Sequence, residues 1–320
     1  MGAWLYAKHD EGAGETIVFR ADFDAVRSGE CVRHVCGHDG HTASLLGLAL
    51  LLENRTLGRN IILLFQHAEE TGVGGFECER LFELEKADAV IGCHNIPLRP
   101  LGTVLLKSGT FACASCGYEI NMKGKPTHAA YPENGINPAR SLAKLAMYVE
   151  DAARDISKRH SCMTLATVVG MRVGDEAYGV AASEGSVFVT LRSEKSEALD
   201  ELVRVTGEAA ERLSIEAGLE YSIKVHDPFP ATVNNIKLLF EAEEVLKKEK
   251  LPYIYLEEPF RWSEDFGHYT KFAPALFIGI GSGEHTAPLH TEGYEYPDEL
   301  APITAELFIR LAENISLKRG

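Results

Sequence analysis

The run Asn60-Ile61-Ile62-Leu63-Leu64-Phe65-Gln66 leads directly into His67-Ala68-Glu69-Glu70. Its first seven residues, mostly aliphatic and β-branched, read as a strand, and the next four bring an imidazole and two carboxyls to the end of it. The layout recurs along the chain. Thr16 to Arg20 runs into Asp22 and Asp24, Ala87 to Cys93 into His94, and Ala275 to Ile280 into a loop carrying His285 and His290. Between these strands lie an apolar helix at Thr42 to Leu52 and a helical stretch near Gly75 to Leu84. Strands alternating with helices predict βαβ units and an α/β fold, with a mixed, mostly parallel sheet covered by helices on both faces. Ligands in such sheets bind beyond the carboxyl ends of the strands, so four strands deliver acids or imidazoles to one edge.

From about Gly109 the texture changes. Strand-like segments at Gly117 to Met122, Met163 to Val169 and Val187 to Leu191 accompany long helices near Asn137 to Ile156 and Lys195 to Ala217. After Tyr221 to Val225 the first texture returns, with helices at Ile236 to Lys248 and from Asp298 to Leu311. The expected organisation is a discontinuous domain of residues 1–109 and 225–320, with an α+β domain, 110–224, inserted in it.

Composition narrows the function. With 45% hydrophobic and 25% charged residues over 320 positions, the chain has the make-up of a globular protein with a sizeable core. A formal net charge of −15 without any basic run excludes a nucleic-acid surface and favours a small-molecule partner. No stretch of roughly 18 apolar residues predicts a membrane span, and no signal-peptide layout opens the chain, so the expected location is the cytoplasm. Seven cysteines without regular spacing read as reduced thiols.

Between the first strand and the apolar helix lies His34-Val35-Cys36-Gly37-His38-Asp39-Gly40-His41. In an extended segment, alternation would turn Cys36 and His38 toward one point. Thiolate, imidazole and carboxylate together suit Zn²⁺ or Mn²⁺ first, and Co²⁺ or Ni²⁺ next, whereas Mg²⁺ and Ca²⁺ prefer all-oxygen sets. By itself the Cys-x-His-x-x-His cluster fits a catalytic metal, a structural metal, or none. Its coincidence with Glu69, Glu70 and His94 at one sheet edge favours the first.

The segments Arg20-Ala21-Asp22-Phe23-Asp24-Ala25, His34 through Thr42, Phe65 through Glu70, Gly124-Lys125-Pro126-Thr127-His128-Ala129-Ala130 and Leu289-His290 occur in the order seen in the metallo-aminoacylases. This family is related to carboxypeptidase G and includes N-acyl-amino-acid amidohydrolases, hippuricases, indole-acetyl-amino-acid hydrolases and N-acetyl-diaminopimelate deacetylases. The resemblance spans nearly the whole chain, with Cys-Gly-His-Asp-Gly-His as its most specific element. It implies two divalent metal ions held by Cys36, His38, Glu70, His94 and His290, with Glu69 as general acid/base. It also implies that Asp24 orients a ligand from behind and that His128 of an inserted lid and dimerisation domain supports the substrate carbonyl. Ser263-Glu264-Asp265-Phe266 matches a further family segment near the site.

The activity implied is hydrolysis of the amide bond of N-acyl or aroyl amino acids, through a metal-activated water whose proton Glu69 takes and later delivers to the departing amine. Asn137 and Arg192 are candidates for gripping a substrate carboxylate, for which the guanidinium fork is suited. The alternatives are a metallo-dipeptidase or aminopeptidase of the same superfamily, cleaving short peptides, and a non-catalytic metal-binding relative. The resemblance also implies a homodimer formed through the inserted domain. Three departures stand out: His67 replaces a usual Pro, Cys116 a usual Asp, and the loop from Ala25 to His34 is short. Family members usually carry several tens more residues ahead of the first strand, so either the sheet lacks an edge or the chain begins internally.

Other motifs fall away. Cys113-Ala114-Ser115-Cys116 precedes no helix N-terminus and reads as a core strand rather than a redox pair. Gly279-Ile280-Gly281-Ser282-Gly283 lacks the dinucleotide fingerprint and reads as a tight loop. There is no Gly-x-Ser-x-Gly elbow and no phosphate-binding loop.

Overall fold

The structure, a computed structural model, describes residues 4–28 and 31–317. They divide into two compact units. One lies within Met1–Ala112, Thr232–Phe260 and Glu264–Gly320, and the other comprises Cys113–Ala231 and Arg261–Ser263.

The first unit is built on a seven-stranded sheet in the order Leu5–His9, Asn60–Gln66, Thr16–Asp22, Ala89–Ile96, Ala275–Gly281, Val104–Leu106, Tyr253–Tyr255. Pairing is parallel except for the antiparallel edge strand Leu5–His9 and the antiparallel contact of Ala275–Gly281 with Val104–Leu106. The three strands Thr16–Asp22, Asn60–Gln66 and Ala89–Ile96 are buried along their whole length, as sheets covered on both faces require. Ile17, Phe19, Ile61, Leu63 and Ile91 pack with Leu45 and Leu48 of helix His38–Leu52, Leu239 of Ile236–Glu249 and Phe308 of Leu300–Asn314. Alternation sends the intervening residues to the opposite face, where the 3₁₀ segment Asp265–Lys271 and the short helices Gly74–Cys78 and Leu81–Leu84 lie.

Several expectations are corrected. Leu5–His9 supplies an edge strand that the sequence reading did not contain. The helix anticipated from Thr42 begins at His38, because Gly37 turns the chain at φ 91° and puts His38 and His41 in the first helical turn. The strand anticipated to end at Cys93 runs to Ile96, so His94 sits inside it, opposite Gly279. The stretch from Gly75 to Leu84 is two short helices separated at Glu79 and Arg80.

The second unit is a four-stranded antiparallel sheet in the order Thr164–Val173, Glu184–Ser193, Ala114–Lys123, Glu220–Phe229. Helices Ala139–His160 and Ser196–Ala217 pack against one face, burying Leu142, Leu145, Leu202 and Leu213 against Tyr118, Ile120, Val187 and Val189. Alternate residues of the strands face away from the helices.

Candidate metal centre

Strand geometry brings the predicted donors together. Cys36 Sγ lies 3.5 Å from His94 Nε2 and 3.3 Å from His290 Nε2. Glu70 Oε1 lies 3.3 Å from His290 Nε2 and 3.9 Å from His38 Nε2. Cys36 and His38 converge not as alternate residues of an extended segment but because Gly37 bends the chain between them. A Cβ at Gly37 would meet Asn95 Oδ1 at 2.7 Å, and its φ lies in the left-handed region, so both space and backbone demand glycine there. Ala68 at φ 51° and His290 at φ 61° are left-handed without being glycine, one just before the glutamates and the other a donor itself. Such conformations persist where surrounding contacts over-determine them, and the His290 N–H indeed donates to Val35 O at 2.8 Å.

Two of the three imidazoles are oriented from behind. His38 Nδ1 donates to Asp24 Oδ1 at 3.0 Å, and His94 Nδ1 donates to the Asn95 carbonyl at 2.8 Å. Each therefore turns Nε2 toward the centre, the arrangement that a metal-binding histidine needs. Asp24 does two tasks, since its second oxygen accepts the Glu70 N–H at 3.0 Å. Among the described residues, His38 Nε2 and Glu70 Oε1 are buried without a hydrogen bond of good geometry, the nearest group to the latter being His290 Nε2 at 3.3 Å. Buried polar atoms are rarely left so, and these two aim at the space that Cys36, His94 and His290 share, so the donor set fits divalent metal.

Electrostatics agree. Burial opposes the His38 cation, but Asp22, Asp24 and Glu70 outweigh it and raise the group to about 9. Burial, then the Glu70 and Glu69 charges, push the Cys36 thiol far above its usual range. Both donors thus hold protons that an incoming cation must displace. Glu69, 6% exposed, is pushed well above the ordinary carboxylate range by burial and then by Glu264, Asp265 and Asp22. Its Oε1 accepts the Asp265 N–H at 3.4 Å.

Beneath the centre lies a charged network that the sequence reading missed. Arg20 is 1% exposed. Its guanidinium donates to Gln66 Oε1 at 2.7 Å, Asp22 Oδ2 at 2.7 Å and Asp265 Oδ1 at 2.8 Å, and pairs with Glu264 Oε1 at 3.0 Å. Asp265 also accepts from Gln66 Nε2 and, at 2.6 Å, from the Gly75 N–H. A lone Arg inside the apolar run Thr16 to Ala21 was the available signal, because a buried charge demands partners. Behind His94, Asp22 Oδ1 lies 2.5 Å from His41 Nδ1, His41 Nε2 lies 2.6 Å from Asn95 Oδ1, and the Asn95 amide donates to the Tyr294 hydroxyl.

The remaining predicted residues belong to the second unit. His128 is exposed, in the strand Thr127–His128 that pairs with Val180–Ala181. Its Nδ1 accepts the Ala130 N–H at 3.0 Å, which places the ring proton on Nε2. Asn137 Oδ1 accepts the Ala139 N–H at the start of a helix, at 2.9 Å. Arg192 donates to the Arg261 carbonyl and, at 2.8 Å, to Ser263 Oγ.

A family described as Peptidase family M20/M25/M40 matches residues 18–314. The chain belongs to this family. It is 32% identical over 314 residues to an N-acetyl-L-cysteine deacetylase of Bacillus subtilis, spanning 93% of this chain and 74% of the relative. It is 27% identical over 314 residues to a hippurate hydrolase of Campylobacter jejuni, covering 92% and 80%. Among solved structures, a dinuclear metal binding peptidase of the M20 family from Bacillus subtilis superposes with a TM-score of 0.79 at 23% identity, over 97% of this chain and 84% of that one. This last likeness establishes the M20 fold.

Proposed function

We propose that this M20 member is a metal-dependent amidohydrolase that removes the acyl group from N-acyl amino acids. One observation carries the reading: a buried carboxyl, Glu69, stands beside a five-donor cluster whose inward atoms include two orphaned ones. Relatives named for deacetylation of N-acetylcysteine and hydrolysis of hippurate support an N-acyl substrate. Cys36, His38, Glu70, His94 and His290 would hold two divalent ions, of which Zn²⁺ or Mn²⁺ suits the donors best and Co²⁺ or Ni²⁺ next. When bound, such ions polarise a carbonyl and lower the pKa of water toward neutrality.

The chain's own residues supply the rest. Glu69 accepts the proton of the attacking water, and its raised proton affinity lets it return that proton to the leaving nitrogen. Asp24 keeps His38 and Glu70 in register. His128 donates Nε2–H to the substrate carbonyl oxygen as negative charge develops there. Asn137 and Arg192 serve the substrate carboxylate.

Glu69→Gln keeps shape but cannot take a proton. Metal-loaded wild type should turn over members of an N-acyl amino acid panel, and the variant should lose about 10²–10⁴-fold in kcat with its metal content unchanged. A wild type that hydrolyses no member, or a variant at full rate, refutes the assignment. Comparing an acetylated substrate with its free-amine counterpart separates the amidohydrolase from a dipeptidase or aminopeptidase.

A further inference from the structure

The five donors are not held alike. His38 and His94 are buried, each with Nδ1 on an acceptor. The His290 side chain is 51% exposed and, among the described residues, no hydrogen bond holds its Nδ1. Its placement therefore falls to the loop that carries it. The donor atoms include a buried triad, Cys36, His38 and His94, and an outer one, Cys36, Glu70 and His290, which share the thiol. Only the outer triad depends on that loop.

A little beyond His290 on the same loop stands Tyr294, buried at 4% exposure. Its hydroxyl accepts the Nδ2–H of Asn95, which is also buried. Asn95 stands where several contacts cross. Its backbone carbonyl accepts the His94 Nδ1–H, and its Oδ1 lies 2.6 Å from His41 Nε2. The same oxygen closes the space beside Gly37, where a Cβ would fall 2.7 Å from it. One residue thus abuts the turn between Cys36 and His38, follows His94 on its strand, and reaches the loop of His290. That loop is tightened by Tyr294 N–H to Thr291 O at 3.1 Å, so a shift of the tyrosine reaches His290 through few bonds. A buried polar pair of this kind holds geometry firmly, because neither group finds water when the two part.

We propose that Asn95 and Tyr294 are positioning residues whose hydrogen bond straps the His290 loop to the His94 strand, and that this strap sets the affinity of the divalent ion held by the outer triad. The proposal rests on the two-ion reading of the donors. The loop has two further attachments. His290 N–H donates to Val35 O, and the Tyr296 ring packs on Gly40 so closely that it leaves no room for a Cβ there. Losing the Tyr294 hydroxyl therefore loosens the loop and leaves it docked. His38 and His94 keep the acceptors behind them, Asp24 and the Asn95 carbonyl, so the effect falls on one ion.

The test is stepwise Zn²⁺ binding to the full metal-free chain, followed by competition with a chromophoric chelator, in which two ions give two affinities. Tyr294→Phe removes only the hydroxyl. It should weaken one step about tenfold and leave the other within about twofold. In a His290→Ala background, where the outer donor is gone, it should change the remaining step by no more than about twofold. Asn95→Ala should weaken the same step, and adding Tyr294→Phe to it should cost nothing further there, as a pair acting through one bond requires. Should Asn95→Ala fail to fold by circular dichroism, the two Tyr294→Phe comparisons decide alone. Wild-type affinity of Tyr294→Phe in both steps, or an undiminished effect in the His290→Ala background, overturns the strap. A wild type that binds two ions while Tyr294→Phe is silent refutes this inference alone, whereas a wild type that binds none refutes the two-ion reading with it.

Discussion

Asp24 shows how much one carboxylate can organise. It touches no substrate, yet it receives both the His38 ring N–H and the Glu70 backbone N–H, so two donors take their orientation from one side chain. Replacing it by Asn removes an acceptor without changing size. Asp24→Asn should weaken metal affinity about 10–100-fold, measured by competition with a chromophoric chelator, and an unchanged affinity would contradict the role given to it. Thiol chemistry offers a second check. Cys31 is exposed, whereas Cys113 and Cys116 are buried and pushed up to about 11 by that burial. Alkylation of the folded protein near pH 8 should label Cys31 first, with mass-mapped Cys113 and Cys116 unmodified until denaturant is added.

At the scale of elements, the strands were the most legible part of the chain. Asn60–Gln66 is where its aliphatic run put it, and the helices of the second unit begin within two residues of their expected starts. What escaped was set by distant partners. Leu5–His9 is short and half-exposed, and only its pairing with Asn60–Gln66 makes it a strand. The helix start at His38 is decided by a glycine turn whose tightness depends on Asn95, far along the sequence. The donors were readable because their residue types are rare together. The Arg20 network was not, because Gln66, Glu264 and Asp265 become partners only when the sheet assembles. This network predicts a large effect on the element it serves. Arg20→Met leaves Asp22 and Asp265 buried without their cation and should cost about 3–5 kcal/mol of stability by chemical denaturation, with the loss concentrated in the first unit.

For the whole molecule, two cores imply two responses. Among the described residues the donor cluster lies in the first unit, so a chelator should lower the thermal transition of that unit by the free energy of metal binding. That is about 2.7 kcal/mol at a hundredfold excess over Kd, with the transition of the second unit left in place in differential scanning calorimetry. A uniform shift of both transitions would show that the cores do not melt separately. The second unit is also the proposed dimerisation element. Its sheet ends in the ten-residue edge strands Thr164–Val173 and Glu220–Phe229, and Val169 on the former is 63% exposed. Open edges of this length are templates for a second chain. Light scattering should give twice the 35.1 kDa chain mass, and Val169→Lys should shift it toward the single-chain value.

The discontinuity of the first unit sets an order of events during synthesis. Cys36, His38, Glu70 and His94 all precede the inserted segment, and His290 follows it by a long interval. At about 5–20 residues per second, the ribosome delivers the fifth donor roughly 10–40 s after the fourth. Throughout that interval the nascent chain presents an open half-site. Closure then falls to a loop pinned by the Val35 carbonyl, and the protein withholds a finished centre until its second core has been made.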